Sequence, residues 1–96
     1  MEIVLLIETK NYQKVRDILL KDEMVSLASV TFKEGGFIGK KDYYCYISGL
    51  DEQCKKAVEL TKDLAKEVSG KEKDEVINKI KEEEAKAIES MGSLFG

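Results

Sequence analysis

The sequence contains no histidine, no tryptophan and no proline. The lack of histidine removes most zinc sites and every Ser-His or Cys-His catalytic pair. Cys45 and Cys54 are the only thiols, and their spacing of nine positions matches no zinc pattern. We therefore expect a protein that is not an enzyme, with no catalytic residue, no metal site and no cofactor.

Arginine is almost absent as well, since Arg16 is the only one. The 16 basic residues stand against 19 acidic ones and give a net charge of −3. Arginine supplies the planar fork that grips phosphates and guanine edges, so this composition argues against nucleic acid as a partner. The surplus of lysine and glutamate, with few asparagines and glutamines, favours a thermophilic source.

Long apolar runs are also missing. No stretch approaches the roughly 18 apolar residues of a transmembrane helix, so we expect no contact with a membrane. The opening residues Met1 to Val4 lack the basic start of a secretory signal. We expect a cytoplasmic protein with reduced cysteines, although a disulfide remains open for a hyperthermophile.

The 96 residues fit one domain, and their patterns predict mixed secondary structure. Residues 3–7 form a short aliphatic run typical of a buried strand. Val15, Ile18 and Leu19 then recur at helical spacing, in a helix capped by Thr9 or Asn11 and ended by residues 21–23. Residues 25–33 and 42–48 alternate like two strands of a long hairpin. Asp51 is a good N-cap for a helix whose apolar stripe runs from Cys54 to Val68.

This order predicts an α+β fold, an antiparallel sheet with helical cover in a βαββα core over residues 1–70. A C-terminal helix follows over residues 71–91, with a tail at 92–96. The fold would be a ferredoxin-like split β-α-β variant without its fourth strand, which would leave the first strand at an edge. Both faces of that strand are apolar, so the tail, the last helix or a second copy must cover it. From this argument and the small core we expect a homo-oligomer.

Three segments carry a resemblance: IVLLIE near the start, EGGFIGKKDYYCYISG in the hairpin and DEQCKKAVELTKDLAKE after it. Their order resembles the nitrogen-regulatory PII and CutA group, which are trimeric ferredoxin-like proteins. The resemblance implies a long hairpin and small-ligand or metal sites between subunits, but no signature residue is shared. In length and texture the chain also resembles small conserved proteins of thermophilic archaea that have no assigned function.

The glycine-rich hairpin is the principal candidate site, and its residues are Gly35, Gly36, Phe37, Ile38, Gly39, Lys40 and Lys41. Glycines let backbone N–H groups approach a phosphate, so the segment can hold a small anionic ligand. The plainer interpretation, which we favour, is a hairpin tip whose glycines adopt positive φ. A third interpretation is contact of its two apolar residues with a partner or a neighbouring subunit.

Other candidates have structural explanations. We expect Cys45 and Cys54 to be buried core residues, and Tyr43, Tyr44 and Tyr46 to lie in the core or at an interface. The three glutamates at 82–84 are expected to be a solvated helix face.

The sequence therefore predicts a non-enzymatic, self-associating module that binds a small ligand or regulates by interaction, with the hairpin as its contact surface. One alternative is a single-stranded nucleic-acid or ribosome-associated accessory module that uses the tyrosines and the hairpin lysines. Another is an enzyme with an active site between subunits.

Overall fold

The computed structural model describes residues 1–39 and 41–95, with the side chains of 1–36, 39 and 41–86. Short 3₁₀ turns connect several of the elements. The helices and strands, in chain order, are β1 (Glu2–Ile7), α1 (Tyr12–Lys21), β2 (Ser29–Glu34), β3 (Tyr43–Ser48), α2 (Asp51–Thr61), β4 (Ala65–Val68) and α3 (Gly70–Phe95). The fold is thus α+β, as the sequence predicts.

The four strands form one antiparallel sheet in the order β2-β3-β1-β4. The expectation that the first strand lies at an edge is therefore wrong, because β1 is paired on both sides. Its residue Ile7 lies opposite Tyr43 of β3 and opposite Ala65 of β4. The edges of the sheet are β2 and β4.

The fourth strand is the main difference from the sequence prediction. Helix α2 ends at Thr61, and Ala65–Val68, expected in that helix, forms β4 instead. The Gly49 N–H donates to the Met1 carbonyl (3.1 Å), so by alternation the backbone groups of Val4 and Leu6 point away from β3. Pairing with β4 satisfies these groups, and this non-local demand outweighs the helical spacing of the segment.

One face of the sheet packs against α1 and α2, as the alternation in the sequence predicts. This face, the α1/α2 face, buries ten residues: Ile3, Leu5, Ile7, Val15, Leu19, Val25, Cys45, Ile47, Cys54 and Ala57. Val30 and Phe32 of β2 pack at its margin, where Tyr12 meets the Phe32 ring edge-on at 5.6 Å. Both cysteines are free and buried.

The opposite face is covered by α3, and we call it the α3 face. Its buried cluster contains Val4, Tyr44, Tyr46 and Val68 from the sheet, with Val76, Ile77 and Ile80 from the helix. The sequence left open whether the tail, the last helix or a second copy covers this face. The last helix of the same chain covers it. The apolar outer side of β1 therefore no longer argues for self-association, which stays a prediction.

The ends of the helices also differ from the expectation. Helix α3 includes Phe95, so it extends through most of the predicted tail. Leu50, not Asp51, is the N-cap of α2, and its N–H donates to the Gln53 Oε1 atom at 2.8 Å. Gly70 has φ 66° where the chain turns from β4 into α3, a conformation that suits glycine. Within residues 1–39 and 41–95, no helix is long and apolar enough to cross a membrane.

Candidate functional site

Three strand ends meet at one end of the sheet. Because β1 is antiparallel to both neighbours, its last residue Ile7 lies beside the first residues of β3 and β4. The polar residues Glu8 and Asp42 directly adjoin these strand ends. This sheet end also carries the β2–β3 hairpin, since Glu34 at the end of β2 lies opposite Tyr43.

A cleft of about 290 Å³ opens at this sheet end. Its lining residues include three acidic residues, two lysines, an asparagine and three apolar residues. The residues are Leu6, Glu8, Asn11, Asp42, Lys62, Asp63, Leu64, Ala65 and Lys66. Leu6 is only half-buried, and Lys66 lies directly opposite it in the β1–β4 register. We call these residues the sheet-end cleft.

Backbone and side-chain bonds hold the walls of the sheet-end cleft. The Asn11 Nδ2 group donates to the Leu64 carbonyl at 3.4 Å, which links the turn after β1 to the turn before β4. The Asn11 N–H donates to the Glu8 carbonyl (2.9 Å), and the Leu64 N–H to the Thr61 carbonyl (2.9 Å). The cleft is therefore largely preformed, as ligand sites usually are.

The glycine segment lies beside this cleft rather than inside it. Gly35 is buried, and its N–H donates to the carbonyl of the cleft residue Asp42 at 2.8 Å. The Thr9 hydroxyl donates to the Lys41 carbonyl at 3.1 Å, which ties the hairpin to the turn after β1. Lys41 is exposed and directly precedes the cleft residue Asp42 in the chain.

The glycines of the hairpin have different conformations. Gly35–Ile38 forms a 3₁₀ turn, and Gly39, which follows it, has φ 73°. Gly35 and Gly36 do not adopt positive φ, so only Gly39 matches the plain hairpin expectation. Lys40 and the side chains of Phe37 and Ile38 lie outside the described residues, and the expected anion or partner contact there stays a prediction.

The three hairpin tyrosines differ in how much of each ring is exposed for contact with a ligand or a base. Tyr44 and Tyr46 are 0% and 7% exposed beneath α3, so they offer no surface on which a base could stack. Tyr43 is half-buried and stacks on Tyr12, with ring centroids 4.0 Å apart. Two of the three tyrosines on which the nucleic-acid alternative drew are therefore not available for stacking, and that alternative stays a prediction.

The buried phenols hold carboxylates of the α3 face. The Tyr44 hydroxyl donates to Glu72, and the Tyr46 hydroxyl donates to Glu2 Oε1 at 2.6 Å. Burial, followed by the bond to Glu2, raises the pKa of Tyr46 to about 12. Burial and the bond to Glu72 likewise raise the pKa of Tyr44. The Tyr46 bond lowers the pKa of Glu2, and Lys81 contributes to this shift from 3.4 Å.

The thiols are confirmed as core residues. Burial raises the pKa of Cys45 to about 12, and burial also raises that of Cys54. A reactive cysteine needs a lowered pKa and exposure, and neither thiol has them.

The acidic run on α3 takes part in ion pairs. Glu83 accepts from the Lys33 ammonium at 2.6 Å, and Glu82 lies 3.2 Å from Lys86 one turn later. Across the part of the chain that the structure describes, no group of three or more Cys, Asp or Glu side chains is placed to hold a metal ion.

A second cleft, of about 280 Å³, lies between α2 and the edge strand β4. Ile3, Cys54 and Val58 form apolar walls there, and Glu59 and Glu67 are among its charged lining residues. It offers fewer polar groups than the sheet-end cleft to orient a ligand.

The cleft residues are not predicted from the sequence, which points only to the adjoining hairpin. Polar residues that flank strand ends can indicate a site, but Lys62, Asp63 and Lys66 flank or belong to β4, which the sequence did not predict as a strand. No protein-family model matches the chain, and no significant match is found to a curated protein or to a solved structure.

Proposed function

We propose that this protein is a non-enzymatic, self-associating module that binds a small polar ligand in the sheet-end cleft. The observation that carries the proposal is the convergence of both signs of charge around one preformed cleft of about 290 Å³. A cleft of this size suits a small metabolite, and a few placed polar groups provide orientation.

The charges suggest the chemistry of the ligand. Lys62 and Lys66 can pair with a carboxylate or phosphate. The carboxylates of Glu8, Asp42 and Asp63 would repel a purely anionic molecule. We therefore infer a zwitterion, whose ammonium group faces the carboxylates while its acidic group faces the lysines.

The fold supports a finer classification within this proposal. The first six elements follow a β-α-β-β-α-β order, which is the ferredoxin-like pattern, with α3 added. This order also supports the resemblance to the PII and CutA group, although fold alone is weak support for function. A cytoplasmic location and a thermophilic archaeal origin remain part of the proposal on grounds of composition.

A thermal-shift screen tests the proposal, because a ligand that binds only the folded state raises the melting temperature. The panel contains amino acids as zwitterions, with dicarboxylates and nucleotides as anions. A ligand at ten times its Kd adds about 1.4 kcal/mol, which is about 6 °C or more for a domain of this size.

Substitutions of cleft residues test whether the ligand binds in the sheet-end cleft. We expect Lys66→Gln and Asp42→Asn each to reduce the shift, because each removes one of the paired charges. Lys71→Gln is the matched control, since Lys71 is exposed on α3 and does not line the cleft. The proposal fails if no compound shifts the melting temperature, or if both cleft variants keep the full shift.

A further inference from the structure

The hydrogen-bonding pattern of the β2 outer edge follows from one bond in the hairpin. The Gly35 N–H donates to the Asp42 carbonyl at 2.8 Å, and this pair continues the β2–β3 register. Bonded and non-bonded pairs alternate along an antiparallel ladder, so Thr31 bonds to β3. The N–H and C=O groups of Val30 and Phe32 therefore point away from β3, toward the outer edge.

The edge itself is long and largely apolar on one face. β2 spans six residues and stands at one end of the sheet order. Its residues Val30 and Phe32 are half-buried. Among the described residues, no other strand pairs with its outer side. Such an edge is a template for pairing with another strand.

We propose that two copies of the chain pair through β2, antiparallel about a two-fold axis at Thr31, to form one continuous eight-stranded sheet. The inference rests on the self-association in the proposed function, and it does not involve the ligand cleft. The occupant of the edge is a second copy because β2 is complementary to itself.

The self-complementarity follows from the register. A two-fold axis normal to the sheet keeps each face on its own side, so residues that face each other must share a face. With the axis at Thr31, Val30 faces Phe32 of the second copy and Ser29 faces Lys33. Aromatic residues opposite β-branched ones, and threonine opposite threonine, are favourable cross-strand pairs. An axis at Phe32 would place Val30 opposite a Glu34 carboxylate instead.

The other edge of the sheet lacks this property. β4 has four residues, with Lys66 and Glu67 at its centre. The two-fold registers that pair three of its residues place Lys66 opposite Lys66, or Glu67 opposite Glu67, of the second copy. Like charges directly opposite each other are destabilising. Charge therefore disfavours self-pairing at β4 and leaves β2 as the edge for a second copy.

Disulfide trapping with Thr31→Cys tests the register. Residues at a non-hydrogen-bonded position on the axis have Cβ atoms about 4.5–5.5 Å apart, close enough for a disulfide after a small adjustment. Ser29→Cys is the matched control on the same face of the same strand. In this register it lies four residues, about 13 Å, from its copy. The native thiols are buried and do not compete.

We expect light scattering at micromolar concentration to give twice the 10.8 kDa chain mass. Thr31→Cys should form a covalent dimer at least tenfold faster than Ser29→Cys. Thr31→Lys and Thr31→Glu, which place like charges on the axis, should each be monomeric, and mixing them should restore the dimer.

A monomeric wild-type chain would overturn the proposal and the self-association on which it rests. A wild-type oligomer that Thr31→Cys does not trap faster than Ser29→Cys would overturn the β2 register alone. Neither result affects ligand binding in the sheet-end cleft, which the thermal-shift screen measures separately.

Discussion

The two faces of the sheet are covered by helices from the same chain, but different interactions hold them. The α1/α2 face has a purely apolar buried cluster that includes two free thiols. The α3 face has a smaller apolar cluster flanked by phenol–carboxylate bonds and by the Lys33–Glu83 ion pair. Apolar burial is insensitive to pH and salt, whereas the polar contacts titrate and are screened. The α3 face should therefore be the more sensitive of the two to salt.

Truncation of buried side chains gives the largest expected effect. Ile47→Ala on the α1/α2 face should lower the free energy of unfolding by about 3–5 kcal/mol, because a fully buried side chain leaves a cavity. Ile80→Ala on the α3 face should cost about 2–3 kcal/mol, since a single surface helix can relax around the gap. Urea denaturation measures both.

The matched control is Leu27→Ala, since Leu27 is 81% exposed and should change stability by less than about 0.5 kcal/mol. An Ile80→Ala effect as small as that of Leu27→Ala would mean that α3 does not pack on the sheet.

Thiol reactivity reports opening of the α1/α2 face. Cys45 and Cys54 are both buried and their pKa values are raised, so DTNB should react with the folded protein at least about a hundredfold more slowly than with the unfolded chain. Fast reaction of one thiol under native conditions would instead reveal local opening of this face or a reactive cysteine.

Alkaline pH should weaken the α3 face. The folded-state pKa of Tyr46 is about 12, above the value near 10 of an unfolded tyrosine, so folding favours the neutral phenol. Its stabilising contribution is present below pH 10 and is lost as the pH rises toward 12. Cys45 also has a raised pKa, so the α1/α2 face loses stability at alkaline pH as well. This loss begins at a lower pH because an unfolded thiol ionises near pH 9.

Tyr46→Phe separates the two contributions. We expect this variant to lose less stability than the wild type above pH 10, with unfolding followed by circular dichroism and phenolate formation by absorbance. An unchanged pH dependence would show that Tyr46 ionises as freely in the folded protein as in the unfolded chain.

The smallest effect is expected for the ion pair at the edge of the α3 face. Glu83→Gln should cost about 0.2–1 kcal/mol, because Lys33 and Glu83 are both partly solvated. The cost should shrink at 0.5 M salt as charges are screened. If it remains the same at high salt, the Lys33–Glu83 contact is not mainly electrostatic.

Local patterns in the sequence predicted much of the fold. The two apolar faces of β1, the hairpin of β2 and β3, and the burial of Cys45 and Ile47 follow from alternation. The cover over Val4 was also expected, although the sequence left its source open. These features depend on the spacing of residues close in the chain.

The fourth strand and the candidate site could not be predicted in this way. Ala65–Val68 continues the apolar spacing of α2, and only the backbone groups on the free side of β1 make it a strand. The sheet-end cleft depends on the position of β4, which brings Lys66 opposite Leu6. Only the adjoining hairpin, with Lys41, was visible as a candidate.

Helix α3 covers the sheet of its own chain, and this arrangement can be measured directly. The direct measurement is an isotope-filtered NOE experiment on a refolded equal mixture of labelled and unlabelled protein, which detects only contacts between chains. We predict NOEs from the Val76 and Ile80 methyl groups to the Tyr44 and Tyr46 rings in a uniformly labelled sample, and none in the filtered spectrum of the mixture. The same NOEs in the filtered spectrum would show that a second copy supplies the helix, which would contradict the account.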